Sequence, residues 1–118
     1  MENKYMNLLK ETIEKLRKHN KEPKDVLYCG TPDFGYFTWE DFEKVADIEY
    51  DEGFGGQRVA EDLIIVGNGF WLERHEYDGS EWWEYKAIIA KPEKYNKPKR
   101  LVNKEYFGCP RLKEMNKT

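Results

Sequence analysis

The chain has 118 residues, with 20 Lys or Arg against 23 Asp or Glu, so its formal net charge is −3. This length fits one domain over residues 1–118 and excludes a large barrel or a two-domain enzyme with a cleft between its domains. Charged residues make up 36% of the chain, but aromatic residues reach 15%. Such an aromatic content is not typical of a disordered protein, and we expect a folded domain.

Features of membrane and secreted proteins are missing from the sequence. No segment approaches the ~20 consecutive apolar residues of a membrane-spanning helix, and the segment Met1–Lys24 lacks the apolar core of a secretory signal. The two cysteines, Cys29 and Cys109, are too few for a disulfide framework. We therefore expect reduced thiols and a cytoplasmic protein.

The charges are distributed unevenly along the chain. Residues 1–24 carry a net charge of +3, residues 25–90 carry −12, and residues 91–118 carry +6. Charge asymmetry of this kind bears on partners and association rates more than on fold. Two interpretations remain open: the basic ends neutralise the acidic centre within the monomer, or the acidic surface is kept for a basic partner.

Apolar residues at three- and four-residue steps predict a helix over residues 3–19, within an N-terminal segment 1–20. The acidic body, residues 26–90, begins with a predicted strand at Val26–Cys29, and Tyr36–Phe37 is expected to pair back on it. Thr38 is a suitable N-cap for a second helix that ends near Asp47. From residue 91 the chain is rich in Pro, Asn and Lys, which predicts a basic extended tail.

The strongest β-pattern predicts a three-stranded antiparallel meander. Its strands are Leu63–Val66, Phe70–Tyr77 and Glu81–Ala90, and Asn68-Gly69 is a favoured hairpin turn. In the second hairpin, a two-residue turn would place glutamates opposite one another, which is destabilising. We therefore predict a three-residue loop that pairs His75 with Trp83. The expected fold is α+β, with two helices packed on a small antiparallel sheet.

Patterns for catalysis and for cofactors are weak. His75 lies beside acidic residues and could serve in a small enzyme or a ligand-binding domain, with Cys29 as the candidate nucleophile. The acids from Asp47 onward alternate as in a calcium loop, but the glycine comes one position late and Arg58 replaces the final glutamate. The glycines near Gly55 do not fit a phosphate-binding pattern. We expect neither a metal nor a cofactor, and no direct binding to nucleic acid.

The remaining pattern is an acidic, aromatic-rich centre, which favours a surface that binds a basic protein. Trp and Tyr are frequent interface anchors, and carboxylates accelerate association with a basic partner. Such partners often handle nucleic acid, and an acidic domain in their groove would block it. The residues that we expect to bind the partner are Glu40, Asp41, Asp47, Glu49, Asp51, Glu52, Glu73, His75, Glu76, Tyr77, Glu81 and Trp83.

The segment DIEYDEGFGGQRVAEDLIIVGNGFWLERHEYDGSEWWEY, residues 47–85, resembles short uncharacterised proteins of phages and mobile elements of Gram-positive bacteria. Small acidic phage proteins of this size include inhibitors of host defence, such as anti-CRISPR proteins. The resemblance implies a non-enzymatic inhibitor in the bacterial host cell. An accessory phage protein that only oligomerises is a further alternative.

Overall fold

The computed structural model describes residues 5–51, 56–104 and 111–117. Glu52 and Cys109, as well as the glycines at 53 and 55, lie outside these ranges. The chain divides into two compact units, residues 1–88 and residues 89–118. The elements are β1 (Tyr5–Asn7), α1 (Leu8–Lys18), β2 (Val26–Thr31), β3 (Gly35–Phe37), α2 (Trp39–Ala46), β4 (Glu49–Asp51), β5 (Ile64–Gly67), β6 (Phe70–Tyr77), β7 (Ser80–Ala87) and α3 (Leu112–Met115).

The first unit is built on a five-stranded antiparallel sheet in the order β3-β2-β5-β6-β7. β1 and β4 form a separate two-stranded antiparallel sheet. The predicted α+β class and the meander of β5, β6 and β7 are confirmed. The predicted pairing of Tyr36–Phe37 with the first strand of the body is also confirmed.

Both long helices begin at side-chain caps. The carboxamide oxygen of Asn7 accepts a hydrogen bond from the Lys10 backbone N–H, so α1 begins at Leu8 and the residues before it form β1. Thr38 caps α2 as predicted, and Asp41 completes a capping box by accepting from the Thr38 backbone N–H. These caps satisfy amide groups that a helix leaves unpaired at its start.

The core lies between the two helices and one face of the five-stranded sheet. We call this sheet face, which carries Cys29, Ile65 and Leu72, the inner face; the opposite one is the outer face. The helices contribute Leu16, Trp39, Phe42 and Ala46 to the cluster of buried apolar residues. Among the described residues of the first unit, no helix packs on the outer face.

The register predicted for the second hairpin is wrong by one residue. Asp78 and Gly79 form a two-residue turn with φ of 51° and 88°, the positive values that a type I′ turn requires. His75 therefore lies opposite Trp82, and Trp83 lies opposite Arg74. Because side chains alternate between faces, this shift moves Trp83 to the inner face and Trp82 to the outer face.

Opposed glutamates do not prevent this register, because each carboxylate has its own partners. Glu73 lies opposite Glu84, and Glu76 lies opposite Glu81. Trp71 donates to Glu73, Trp82 donates to Glu84, and the Gly79 backbone N–H donates to Glu76. Glu81 is itself buried, and its partners are described with the site below.

The second unit, residues 89–118, contains the short helix α3, which the prediction of an extended tail did not include. Asn116 connects α3 to residues 99–100 of the same unit. The carboxamide oxygen of Asn116 accepts from the backbone N–H groups of Lys99 and Arg100, and its amide donates to the Leu112 carbonyl. Among the described residues, the helices are all too short and too polar to cross a bilayer.

Candidate functional site

The outer face of β6 and β7 combines indole rings with carboxylates. The indole N–H of Trp71 donates to Glu73 Oε1 at 2.7 Å, and that of Trp82 donates to Glu84 Oε2 at 3.2 Å. Each pair is a Trp-x-Glu segment on one strand, so its two side chains share a face. This face therefore holds two indole–carboxylate pairs on adjacent strands.

His75 joins the first of these pairs. Its Nε2 lies 2.7 Å from Glu73 Oε2, and its ring centroid lies 6.4 Å from that of Trp82. The hydrogen bond from Trp71 and the contact with His75 lower the pKa of Glu73, so this carboxylate is ionised at neutral pH. About a third of each of the Glu73 and His75 side chains is exposed, which leaves room for contact with a partner.

Aromatic side chains continue across the outer face to its other edge. Tyr28 lies opposite Val66 and packs edge-to-face on Tyr36, with ring centroids 6.5 Å apart. Tyr36 and Tyr77 are each more than three-quarters exposed, while Tyr28 and Trp82 are partly exposed. A monomer rarely exposes so many large aromatic rings on one face without a use for them.

The predicted binding residues fall into several groups. Glu73, His75 and Tyr77 lie on the outer face, as described. Glu40 and Asp41 lie on α2, and Asp47, Glu49 and Asp51 follow it on the side of the sheet that the helices cover. Two of these carboxylates are engaged within the fold, since Asp41 caps α2 and Asp47 accepts from the Asn7 side chain. The expectation of a single acidic face is therefore wrong, because the exposed acidic residues form two groups on opposite sides of the sheet.

The expectation that Glu81 and Trp83 are exposed is wrong. Each is 1% exposed, on the inner face. Glu76 lies opposite Glu81 near the turn and is exposed. The shift in register accounts for the burial of Trp83. An ion pair with a buried guanidinium accounts for the burial of Glu81.

That guanidinium belongs to Arg74, whose side chain is completely buried. Its Nη2 donates to Glu81 Oε1 at 2.8 Å and to the Tyr50 hydroxyl at 3.1 Å, and its Nη1 donates to Glu11 Oε2 at 3.1 Å. The Tyr50 hydroxyl donates to the other Glu11 oxygen at 2.6 Å. Burial opposes the charged form of Arg74, but Glu11, Glu81 and Tyr50 together raise its pKa above the ordinary value.

Glu81 also fixes the segment that follows the undescribed residues 52–55. Its Oε2 accepts from the Arg58 backbone N–H at 2.6 Å, and its Oε1 accepts from that of Val59 at 3.1 Å. The Arg74 guanidinium lies 4.7 Å from the Trp83 ring centroid, and the Trp83 indole N–H donates to the Thr12 hydroxyl at 2.9 Å. These contacts tie α1, β4, β6, β7 and residues 58–59 together and hold the sheet beneath the outer face.

Sequence reasoning did not include Trp71, Trp82 and Glu84 among the residues expected to bind the partner. The signal that identifies them is the repeated Trp-x-Glu pattern in 71–73 and 82–84, which places each indole beside a carboxylate on one face of a strand. It also missed the buried Arg74, although this residue continues the alternation of Phe70 and Leu72 toward the core.

The proposed pairing of Cys29 with His75 is contradicted by the sheet. Cys29 is fully buried on the inner face, whereas His75 lies on the outer face. Burial raises the pKa of the Cys29 thiol to about 12, so this sulfur is protonated at neutral pH. Within residues 5–51, 56–104 and 111–117, no three His, Cys, Asp or Glu side chains are arranged to hold a metal ion.

No family model, curated protein or solved structure matches the chain.

Proposed function

We propose that the chain is a non-enzymatic protein-binding module that docks the outer face of its sheet on a basic partner. The observation that carries this proposal is the pair of Trp–Glu contacts on β6 and β7, on the sheet face that none of the described helices of the first unit covers. An uncovered sheet face with large rings and fixed carboxylates has the composition of an interface.

The indole–carboxylate pairs supply both area and orientation. Each hydrogen bond holds its Trp ring in place before a partner arrives, which lowers the conformational entropy lost on binding. Glu73 and Glu84 keep oxygen lone pairs for Lys or Arg side chains of the partner. The exposed Tyr28 and Tyr36 extend the contact area along the same face.

We further propose that the partner is a nucleic-acid-handling protein of a bacterial host, which the chain inhibits as phage-encoded anti-CRISPR proteins do. Support comes from the resemblance over residues 47–85 and from the net charge of −12 over residues 25–90. A protein groove that binds phosphates is basic, and carboxylates attached to a rigid sheet compete for the same lysines and arginines. The acids on the helical side add to the long-range attraction without entering the contact.

The test uses the purified chain, immobilised and exposed to lysate of a Gram-positive host at increasing salt. Wild-type protein is expected to retain a basic protein that is released as salt rises. The Trp82→Ala and Glu73→Lys variants should lose it, whereas Glu40→Lys, a matched charge reversal on α2, should keep it. The retained protein should then lose its nucleic acid when the chain is added, in a mobility-shift assay. Retention that is equal in all four proteins, or nucleic acid that stays bound, overturns the proposal.

A further inference from the structure

The second unit, residues 89–118, is strongly basic. It holds nine Lys or Arg residues against three Glu residues. Between its described residues there is one ion pair, from Lys117 Nζ to Glu114 Oε2 at 2.7 Å. Most of the positive charge is therefore not neutralised by ion pairs within the described part of this unit, so the unit attracts anions.

A groove of about 730 Å³ opens within this unit, between α3 and the segment 96–98. Lys97, Lys113 and Lys117 line the groove, together with two asparagine residues. Its apolar part is supplied by Pro98 and by Leu112, which is 58% exposed and so remains accessible. The groove thus combines three lysines with a small apolar surface.

Asn116 holds the two walls of the groove together. Its carboxamide oxygen accepts from the backbone N–H groups of Lys99 and Arg100 at 2.7 and 2.9 Å. Its amide donates to the carbonyls of Arg100 and Leu112 at 3.1 and 2.7 Å. The Arg100 guanidinium donates to the Met115 carbonyl at 2.9 Å. The groove is therefore formed before a ligand arrives, which lowers the cost of binding.

We propose that this groove binds single-stranded nucleic acid, with phosphates on its three lysines and a base on Pro98 and Leu112. Contacts between lysines and phosphates supply much of the affinity of such complexes. The bases of a single strand are unstacked and free to cover an apolar surface, whereas those of a duplex are not. Tyr95, which is 85% exposed in the same unit, is available for base stacking.

This proposal departs from the expectation, drawn from the sequence, of no direct binding to nucleic acid. That expectation counted the aromatic residues of the acidic body, whereas Tyr95 lies among the basic residues of the second unit. A membrane surface fits less well, because α3 has four residues and is too short for an amphipathic interfacial helix. An acidic polypeptide would satisfy the lysines alone. The proposal does not depend on the docking of the outer face.

The test titrates the full chain into a fluorescent oligothymidylate and follows anisotropy at increasing salt. Wild-type chain is expected to bind at low salt and to be released as salt rises. A variant with both Lys97→Gln and Lys113→Gln should bind at least about tenfold more weakly. The slope of log affinity against log salt should also fall by about 1.4, since each phosphate contact on a single strand contributes about 0.7.

The matched control removes two charges from α1 in the first unit. A variant with both Lys10→Gln and Lys18→Gln, at exposed positions, should bind within about threefold of wild type. Between described residues, the side chains of Lys97 and Lys113 form no hydrogen bond or ion pair, so their replacement should leave the fold intact. Circular dichroism checks the fold of both double variants.

Three further probes separate the classes of ligand. A duplex of the same length, polyglutamate of equal charge and vesicles of phosphatidylserine should each bind wild-type chain less tightly than the single strand at the same salt. The proposal is overturned by a single strand that does not bind at low salt, or by a groove variant that binds it like wild type. It is equally overturned if any of the three probes binds as tightly as the single strand.

Discussion

Arg74 and Glu81 form an ion pair of 2.8 Å in which both side chains are completely excluded from solvent. The pair connects β6 to β7, and the bond from Arg74 to the Glu11 carboxylate connects both strands to α1. A buried pair of this kind adds little when it is replaced as a whole, but the loss of one partner leaves a charge without compensation.

Substitution of Glu81 by Gln is therefore expected to destabilise the protein strongly, by about 3–5 kcal/mol. The carboxylate accepts from Arg74 and from two backbone N–H groups, and the amide cannot compensate the buried guanidinium. Urea unfolding measures the change. The control is Glu76→Gln, its exposed cross-strand neighbour, which should change the free energy of unfolding by less than about 0.5 kcal/mol. Equal effects of the two substitutions would contradict the role of Glu81.

Substitution of Thr12 by Val is expected to destabilise the protein by about 1–3 kcal/mol, because it leaves the buried Trp83 indole N–H without an acceptor. A double-mutant cycle with Trp83→Phe isolates this bond in urea unfolding. The effect of Thr12→Val should be smaller in the Trp83→Phe background, where no indole N–H is present at this position. Strict additivity of the two substitutions would show that the bond does not contribute.

The stabilising contribution of Glu73 is expected to depend on pH. Its pKa is lowered in the folded protein by the bond from Trp71 and the contact with His75. A lowered carboxyl pKa gives stability that is present above the unfolded value, about 4.3, and lost as pH falls through the folded value. The unfolding midpoints of wild type and Glu73→Gln should therefore differ at neutral pH and converge in acid. Trp71→Phe, which removes the first donor, should reduce this difference; a difference that is constant with pH would contradict the assignment.

Cys29 is expected to resist thiol reagents in the native protein. The thiol is fully buried, and its pKa of about 12 leaves almost no thiolate at neutral pH. In a Cys109→Ser variant, which has one thiol, colour from an aromatic disulfide reagent should appear only at the rate of unfolding. Full reaction within the mixing time, under conditions where circular dichroism reports a folded chain, would contradict the burial of Cys29.

Local chemistry explains why much of the fold could be predicted. The Thr38–Asp41 capping box and the Asn68-Gly69 turn are short-range signals, and they fixed the start of α2 and the first hairpin. The second hairpin was predicted incorrectly because the repulsion of opposed glutamates was weighed without the indole and amide donors that satisfy them. Those donors become visible only when the strands are assembled.

The candidate site was harder to predict for the same reason. A one-residue change of register exchanges Trp82 and Trp83 between the two faces, so the exposed aromatic residue was misassigned. Glu81 was counted with the surface acids because its partners, Arg74, Arg58 and Val59, come together only in three dimensions. Glu73 and His75 share a face whichever register the hairpin takes, because alternation within a single strand does not depend on register.

The most direct test of the outer face as a binding surface is calorimetry with the retained partner. It compares the affinities of two charge-reversal variants, one on each side of the sheet. Glu73→Lys on the outer face is expected to weaken the affinity by at least about tenfold, and Glu40→Lys on α2 by less than about threefold. The reverse order, in which Glu40→Lys abolishes binding and Glu73→Lys leaves it intact, would assign the partner to the helical side and contradict the proposed docking face.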